Sequence, residues 1–406
     1  MRETWTFHTA GQIIFGPGAV RQIGDVARRL KLNRLLIVTD GALERAGVVG
    51  AVVEPLAAAG IACEVFPGGE PEPSLAVAAC CAAAAREIKP DGLVGLGGGS
   101  NMDLAKITAA MFTHGGTARD YIGDSKIPGP ILPLICVPTT AGTGSEVSGS
   151  GVLTDEENDL KVGVMSNYLR PRVSIVDPRL TLSCPKKVTA DSGIDALTHA
   201  IEAFTAIDNE VFGIETYPLA DGETTIYQGR HPLGDCLAEK AISLIGANLE
   251  RAVHEPSNPA AREAMALGAL LAGMAFSNVG VALVHALEYP LGGATHCSHG
   301  EGNGLLLPYV MRFNLPVRSA RFAQVARLLG EDIRGLDEHA AAERSVAAVE
   351  RINRSIGIAP RLRDLGARAE QLPVFAEKAL GIKRLLRVNC RAATLDDMLA
   401  IFQAAF

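Results

Sequence analysis

From residue 35 to residue 137 short runs that are apolar at nearly every position alternate with helical stretches. The order is LLIVT (35–39), an Ala-rich helix through Ala59, ACEVF (62–66), a helix from Pro73 to Ile88, GLVGL (92–96), a helix from about Asn101 to Phe112, and ILPLICV (131–137). Strands with no polar face must be covered on both sides, the condition met by a parallel sheet whose strands are joined by helical crossovers. Upstream, GQIIFGPGAVRQIG (11–24) reads as a short strand, a glycine turn and a helix start, and GVLTDEENDLKVGVM (151–165) as a hairpin with a polar turn. After SIVDPRLTLSCP the rhythm stops, and Ala- and Leu-rich helical periods run to the end. The expected fold is therefore an α/β nucleotide-binding domain over 1–185, followed by an all-α domain over 186–406. A Gly-, Pro- and Asp-rich excursion from Ile207 to Asp235 reads as a loop or small ribbon, and long excursions inside compact domains are often functional.

Charge and hydropathy narrow the function. A net charge of −7 argues against a broad basic surface for nucleic acid. No apolar run reaches the roughly 20 residues of a membrane span, and MRETWTFHTAG lacks the layout of a signal peptide, so a cytoplasmic protein without a membrane partner is expected. The eight cysteines show no regular framework and read as free thiols of a reducing compartment. Cys297, between His296 and His299, is the exception to watch as a metal ligand.

Inside DSGIDALTHAIEAF (191–204), Asp195 stands four residues ahead of His199, so on a helix the two side chains share a face. His285 and His299 follow in HALEYPLGGATHCSHG. One Asp and three His suit a divalent transition metal, though a plain Asp–His hydrogen bond and two core histidines explain the same residues. Two glycine turns follow buried strands. In GGGSNMDLAK (97–106) the glycines admit a phosphate to a helix N-terminus, with Ser100 as cap and Asp103 three residues on. This turn lacks the spacing of the usual dinucleotide fingerprint and the acidic residue that follows it. In PTTAGTGSE (138–146) the hydroxyls of Thr139, Thr140, Thr143 and Ser145 are suited to ribose, phosphate or carboxamide oxygens. Asp40 ends strand LLIVT, where its carboxylate either accepts ribose hydroxyls or caps the next helix.

These stretches, with FGPGA (15–19), resemble the iron-containing, or group III, alcohol dehydrogenase family along essentially the whole chain. The resemblance implies a dehydroquinate synthase-like architecture, with a cofactor and a divalent metal in a cleft between the domains. It implies an NAD-linked alcohol dehydrogenase or aldehyde reductase, with Asp195, His199, His285 and His299 as ligands of Fe(II), or of zinc. It also implies that Asp40, Gly97, Gly98, Gly99, Ser100, Asp103, Thr139, Thr140, Thr143 and Ser145 line the nucleotide, with Lys161 and Leu180 in looser correspondence. Expected partners are a small alcohol, aldehyde or hydroxy acid, and further copies of the chain in a homodimer or larger homo-oligomer. Two departures stand out: Tyr289 occupies the place where many members carry a proton-relaying histidine, and the 207–235 excursion is absent from simple members. Both look more like the hydroxyacid-oxoacid transhydrogenase branch, in which NAD stays bound. A metal-free nucleotide-binding protein without redox activity is the alternative of a different class.

Overall fold

The computed structural model describes residues 1–158, 160–214 and 217–406; Asp159, in the expected hairpin turn, and Glu215 and Thr216, in the excursion, lie outside the described residues. The chain forms two compact units, His8–Cys184 and the pair of segments Met1–Phe7 and Pro185–Phe406. The first seven residues, expected with the α/β domain, thus group with the helical unit, where Trp5 stacks on His231 at 4.4 Å and Gln228 bonds both the N–H and the carbonyl of Thr6.

The α/β unit contains β1 (Ile13–Phe15), α1 (Ile23–Arg29), β2 (Arg34–Asp40), α2 (Gly41–Arg45), α3 (Gly50–Ala58), β3 (Ala62–Gly69), α4 (Leu75–Ile88), β4 (Gly92–Gly97) and α5 (Gly99–His114). It continues through β5 (Gly123–Asp124), β6 (Leu134–Pro138), β7 (Ser150–Asp155), β8 (Leu160–Met165) and β9 (Val173–Val176). Six strands form one parallel sheet in the order β1-β9-β6-β4-β2-β3, and antiparallel β7 and β8 with short β5 form a second. The side chains of β2 alternate between two apolar cores: Leu36 and Val38 pack with α4 and α5, Leu35 and Ile37 with α1 and α3. The single Ala-rich helix expected before Ala59 is instead two, α2 and α3, because the chain turns at Gly47 with φ +74°. From β2 the chain moves outward to β3 and then back across to β4. The carboxyl ends of β2 and β4 therefore flank the point where the order reverses, the place where open α/β sheets bind ligands.

The helical unit comprises α6 (Lys186–Thr205), α7 (Pro232–His254), α8 (Pro259–Val279), α9 (Leu283–Thr295), α10 (His299–Leu328), α11 (Glu338–Ile356), α12 (Leu372–Leu380), α13 (Lys383–Leu386) and α14 (Leu395–Ala405). Its centre is α6, in which every residue from Thr189 to Thr205 except Ser192 is buried. Helix α10 crosses α6 closely because residue 300 is glycine: a Cβ there would come within 2.1 Å of the Asp191 carbonyl oxygen. Between α6 and α7 the described residues of the excursion form one isolated bridge, Asp208 to Arg230, and otherwise turns and irregular chain rather than a ribbon. Among the described residues no single helix is long and apolar enough to cross a membrane.

Candidate active site

Burying α6 on all sides leaves its polar side chains without water. Thr198 and Thr205 donate back to the Ile194 and Ile201 carbonyls at 2.8 Å, but Asp195, His199 and Glu202 have to find partners on other helices. Glu202 turns to the start of α9, where it accepts from the Ala282 and Val284 amides at 2.9 and 2.7 Å and meets His285 Nδ1 at 2.6 Å. It thereby caps α9 from another helix, satisfying amides that a helix N-terminus leaves open, and fixes the ring of His285 in the first turn. Glu288, one turn further along α9 and fully buried, binds Nδ1 of His299, the first residue of α10.

A neutral imidazole that donates from Nδ1 to a carboxylate keeps its lone pair on Nε2. Those Nε2 atoms and a carboxylate oxygen of Asp195 lie within 4.8 Å of one another. His285 Nε2 is 3.7 Å from Asp195 Oδ1, and His199 Nε2 is 3.8 Å from Asp195 Oδ2. His199 stacks between Phe276 at 4.2 Å and His285 at 4.9 Å. Burial above all, reinforced by the neighbouring His285 and His299, pushes the pKa of His199 down to about 4 against the opposing pull of Asp195, so at neutral pH it is the uncharged ring that ligates metals. For Asp195 burial works against ionisation, but the three imidazoles and the Asn303 amide outweigh it and hold the carboxyl below its ordinary value. Three of the four expected ligands, Asp195, His285 and His299, converge as one group; His199 lies beside them, with Nε2 3.8 Å from Asp195 Oδ2, and Cys297 is outside the group.

The Asn303 amide nitrogen sits among these atoms, 2.8 Å from Asp195 Oδ1 and 3.1 Å from both His285 Nε2 and His299 Nε2. One amide nitrogen within hydrogen-bond distance of all three atoms marks the point on which they converge. Oxygen and nitrogen donors converging in this way fit a divalent cation. Tyr289 is buried on α9 with its ring centroid 6.1 Å from that of His299. Glu202, Glu288 and Asn303 escaped the sequence reading, although they lie three residues after His199, three after His285 and four after His299, on the faces those histidines share.

In the α/β unit the two glycine turns touch: a Cβ at Gly99 would lie 2.6 Å from the Thr143 side chain. Asp103 and buried Lys106 tie them together. Ser145 Oγ donates to Asp103 at 2.5 Å, Val152 N to its other oxygen at 3.0 Å, and Lys106 Nζ to Ser145 Oγ and the Ser150 carbonyl at 2.7 Å. Ser100 is not the expected cap. Helix α5 starts at Gly99 with Gly98 as cap residue, and Ser100 Oγ accepts from the Glu72 amide instead, so Asp103 is free to hold the second turn. Asp40 does cap α2, accepting from Ala42 and Leu43 at 2.9 Å, while its other oxygen takes the Asn101 amide at 2.7 Å. Thr139 is buried and Thr140 partly exposed; the Gly97–Gly98 stretch before α5 leads directly into the helix N-terminus. Lys161, buried, pairs with Glu72 at 2.7 Å, and Leu180 lines a groove of about 450 Å³ with Gly18, Glu54 and Pro55, apart from the glycine turns.

The sequence matches the family model described as iron-containing alcohol dehydrogenase over residues 10–178, and that of the Fe-containing alcohol dehydrogenase family C-terminal domain over 223–406. It is 39% identical to a long-chain-alcohol dehydrogenase of Geobacillus thermodenitrificans, covering 98% of this chain and 97% of the relative. It is 34% identical to an NAD-dependent methanol dehydrogenase of Bacillus methanolicus, covering 97% of each. Among solved structures it superposes on a 1,3-propanediol oxidoreductase with a TM-score of 0.92 and 37% identity, over 100% of both chains.

Proposed function

Since the chain belongs to the iron-containing alcohol dehydrogenase family and is an oxidoreductase, we propose that it interconverts an alcohol and its aldehyde with NAD, using a divalent metal, iron or zinc, held by Asp195, His199, His285 and His299. The observation that carries the metal assignment is the convergence of Asp195 Oδ1, His285 Nε2 and His299 Nε2 on the single Asn303 amide nitrogen. A metal bound there supplies Lewis acidity toward the alcohol oxygen, and NAD supplies the hydride acceptor. The chain supplies position. Glu202 holds His285 with Nε2 turned toward Asp195. The backbone amides at the start of α5 take the pyrophosphate of NAD, and Asp103 and Lys106 keep the Thr139–Ser145 turn against that helix for the ribose and carboxamide. Asp40 accepts the adenosine ribose hydroxyls. Tyr289 walls the substrate side of His299. None of the eight cysteines forms a disulfide among the described residues, which supports a cytoplasmic enzyme; assembly as a homo-oligomer is part of the same reading.

The test is NADH formation from short primary alcohols and diols by protein freed of metal by chelation, then reloaded anaerobically with Fe(II) or Zn(II). Activity should vanish on chelation and return on reloading, and His285→Ala should abolish turnover while NAD binding by calorimetry stays within about threefold of wild type. Full activity of the chelated His285→Ala protein would overturn the metal assignment. Exchange between a hydroxy acid and 2-oxoglutarate with no free NADH would overturn the dehydrogenase reading in favour of transhydrogenation.

A further inference from the structure

His199 and His285 are fixed by packing, since both are buried and stacked, His199 on Phe276 and the two rings on each other. His299 is different. It opens α10 at the helix N-terminus, and its side chain is 31% exposed. An imidazole there has room to turn, and a turn about its Cβ–Cγ bond would carry Nε2 away from Asp195. The carboxyl group of Glu288 meets its Nδ1 from α9, itself with no exposed surface. The space Glu288 occupies is made by Gly302 on the facing helix: a Cβ at 302 would come within 2.9 Å of Glu288 Cγ. Burying a carboxyl group costs several kcal/mol unless it is well partnered, so a fully buried Glu turned onto a ligand imidazole is an expensive way to fill a core.

We propose, resting on the metal-site reading above, that Glu288 is a positioning residue of the metal centre, which holds His299 in one orientation and one tautomer so that its Nε2 is presented to the cation. Second carboxylates on metal-ligating histidines typically contribute 10–100-fold in metal affinity. In this chain the arrangement recurs in series, because Glu202 serves His285 and Glu288, three residues later on the same helix face, serves His299.

The experiment compares wild type with Glu288→Met, which fills similar space without an acceptor, and Glu288→Gln, whose carbonyl still accepts from Nδ1–H. Each full-length protein is stripped of metal and titrated with cobalt(II) against a chromophoric chelator, and the visible spectrum of the cobalt form is recorded. Glu288→Met should bind cobalt about 10–100-fold more weakly with an altered ligand-field spectrum, and Glu288→Gln should recover most of both. A Met variant with wild-type affinity and spectrum overturns the proposal, as does a Gln variant that falls as far as Met. Should the Met variant fail to fold, the Gln variant decides alone: retention of affinity within about tenfold supports the proposal, and a larger loss overturns it. Wild-type protein that takes up no cobalt would refute the metal-site reading itself, whereas normal loading of wild type and Met variant alike refutes only the role of Glu288.

Discussion

Replacing Glu202 by Ala should destabilise the metal-free protein measurably, quite apart from any effect on turnover. Three donors lose their acceptor at once: the Ala282 amide at 2.9 Å, the Val284 amide at 2.7 Å and Nδ1 of His285 at 2.6 Å, all buried. A buried donor left without partner costs about 1–3 kcal/mol, which gives about 3–9 kcal/mol for the three. Water admitted to the vacated carboxylate volume re-satisfies part of this, so a net loss of about 3–5 kcal/mol is expected. In a unit of this size that corresponds to a fall in Tm on the order of 10 °C. Glu202→Gln keeps one acceptor oxygen but turns an N–H₂ toward other donors and removes the negative charge from the start of α9, so about half the loss should remain. Differential scanning calorimetry of the chelated proteins reads the stability, and cobalt titration of the same samples reads the site. An Ala variant melting within about 2 °C of wild type would refute the argument, since it would mean that α9 and His285 hold their positions without the carboxylate.

Asp40→Gly should raise kcat/KM for NADP relative to NAD, at a stability cost of about 1 kcal/mol for the lost Asn101 bond and a few tenths for the cap; an unchanged coenzyme ratio would leave Asp40 only its structural roles, as the cap of α2 and the partner of Asn101. For Tyr289, whose ring lies against His299, the phenol ordinarily titrates near about 10 and an imidazole near about 6.5, so Tyr289→Phe should leave the rate of alcohol oxidation and its pH profile nearly unchanged, while Tyr289→His should add an ionisation near neutrality. A large rate loss in the Phe variant with metal content intact would place the hydroxyl on the proton path.

How far the sequence reaches is set by which contacts stay within one element. The parallel sheet is legible because the strand runs are apolar on both faces, and the Asp195–His199 pair because one helical turn separates them. The break at Gly47 is hidden, since a lone glycine in an Ala-rich stretch is also tolerated inside a helix. Ser100 fails as a cap because α5 starts one residue before it, with Gly98 as cap residue, and its hydroxyl is taken by the Glu72 amide, a tertiary partner that follows β3. The cluster around Asp195 shows the same division more sharply. Glu202 is a neighbour in sequence of His199 but serves His285, and Glu288 is a neighbour of His285 but serves His299, so each carboxylate passes its bond to the next helix in the order α6, α9, α10. Spacing identifies the side chains that share a helix face, and by that rule Glu202, Glu288 and Asn303 belonged on the candidate list. Which helix the face meets depends on close approaches such as that of Gly300 to Asp191, where a single Cβ would force the two helices apart and carry Asn303 out of reach of Asp195.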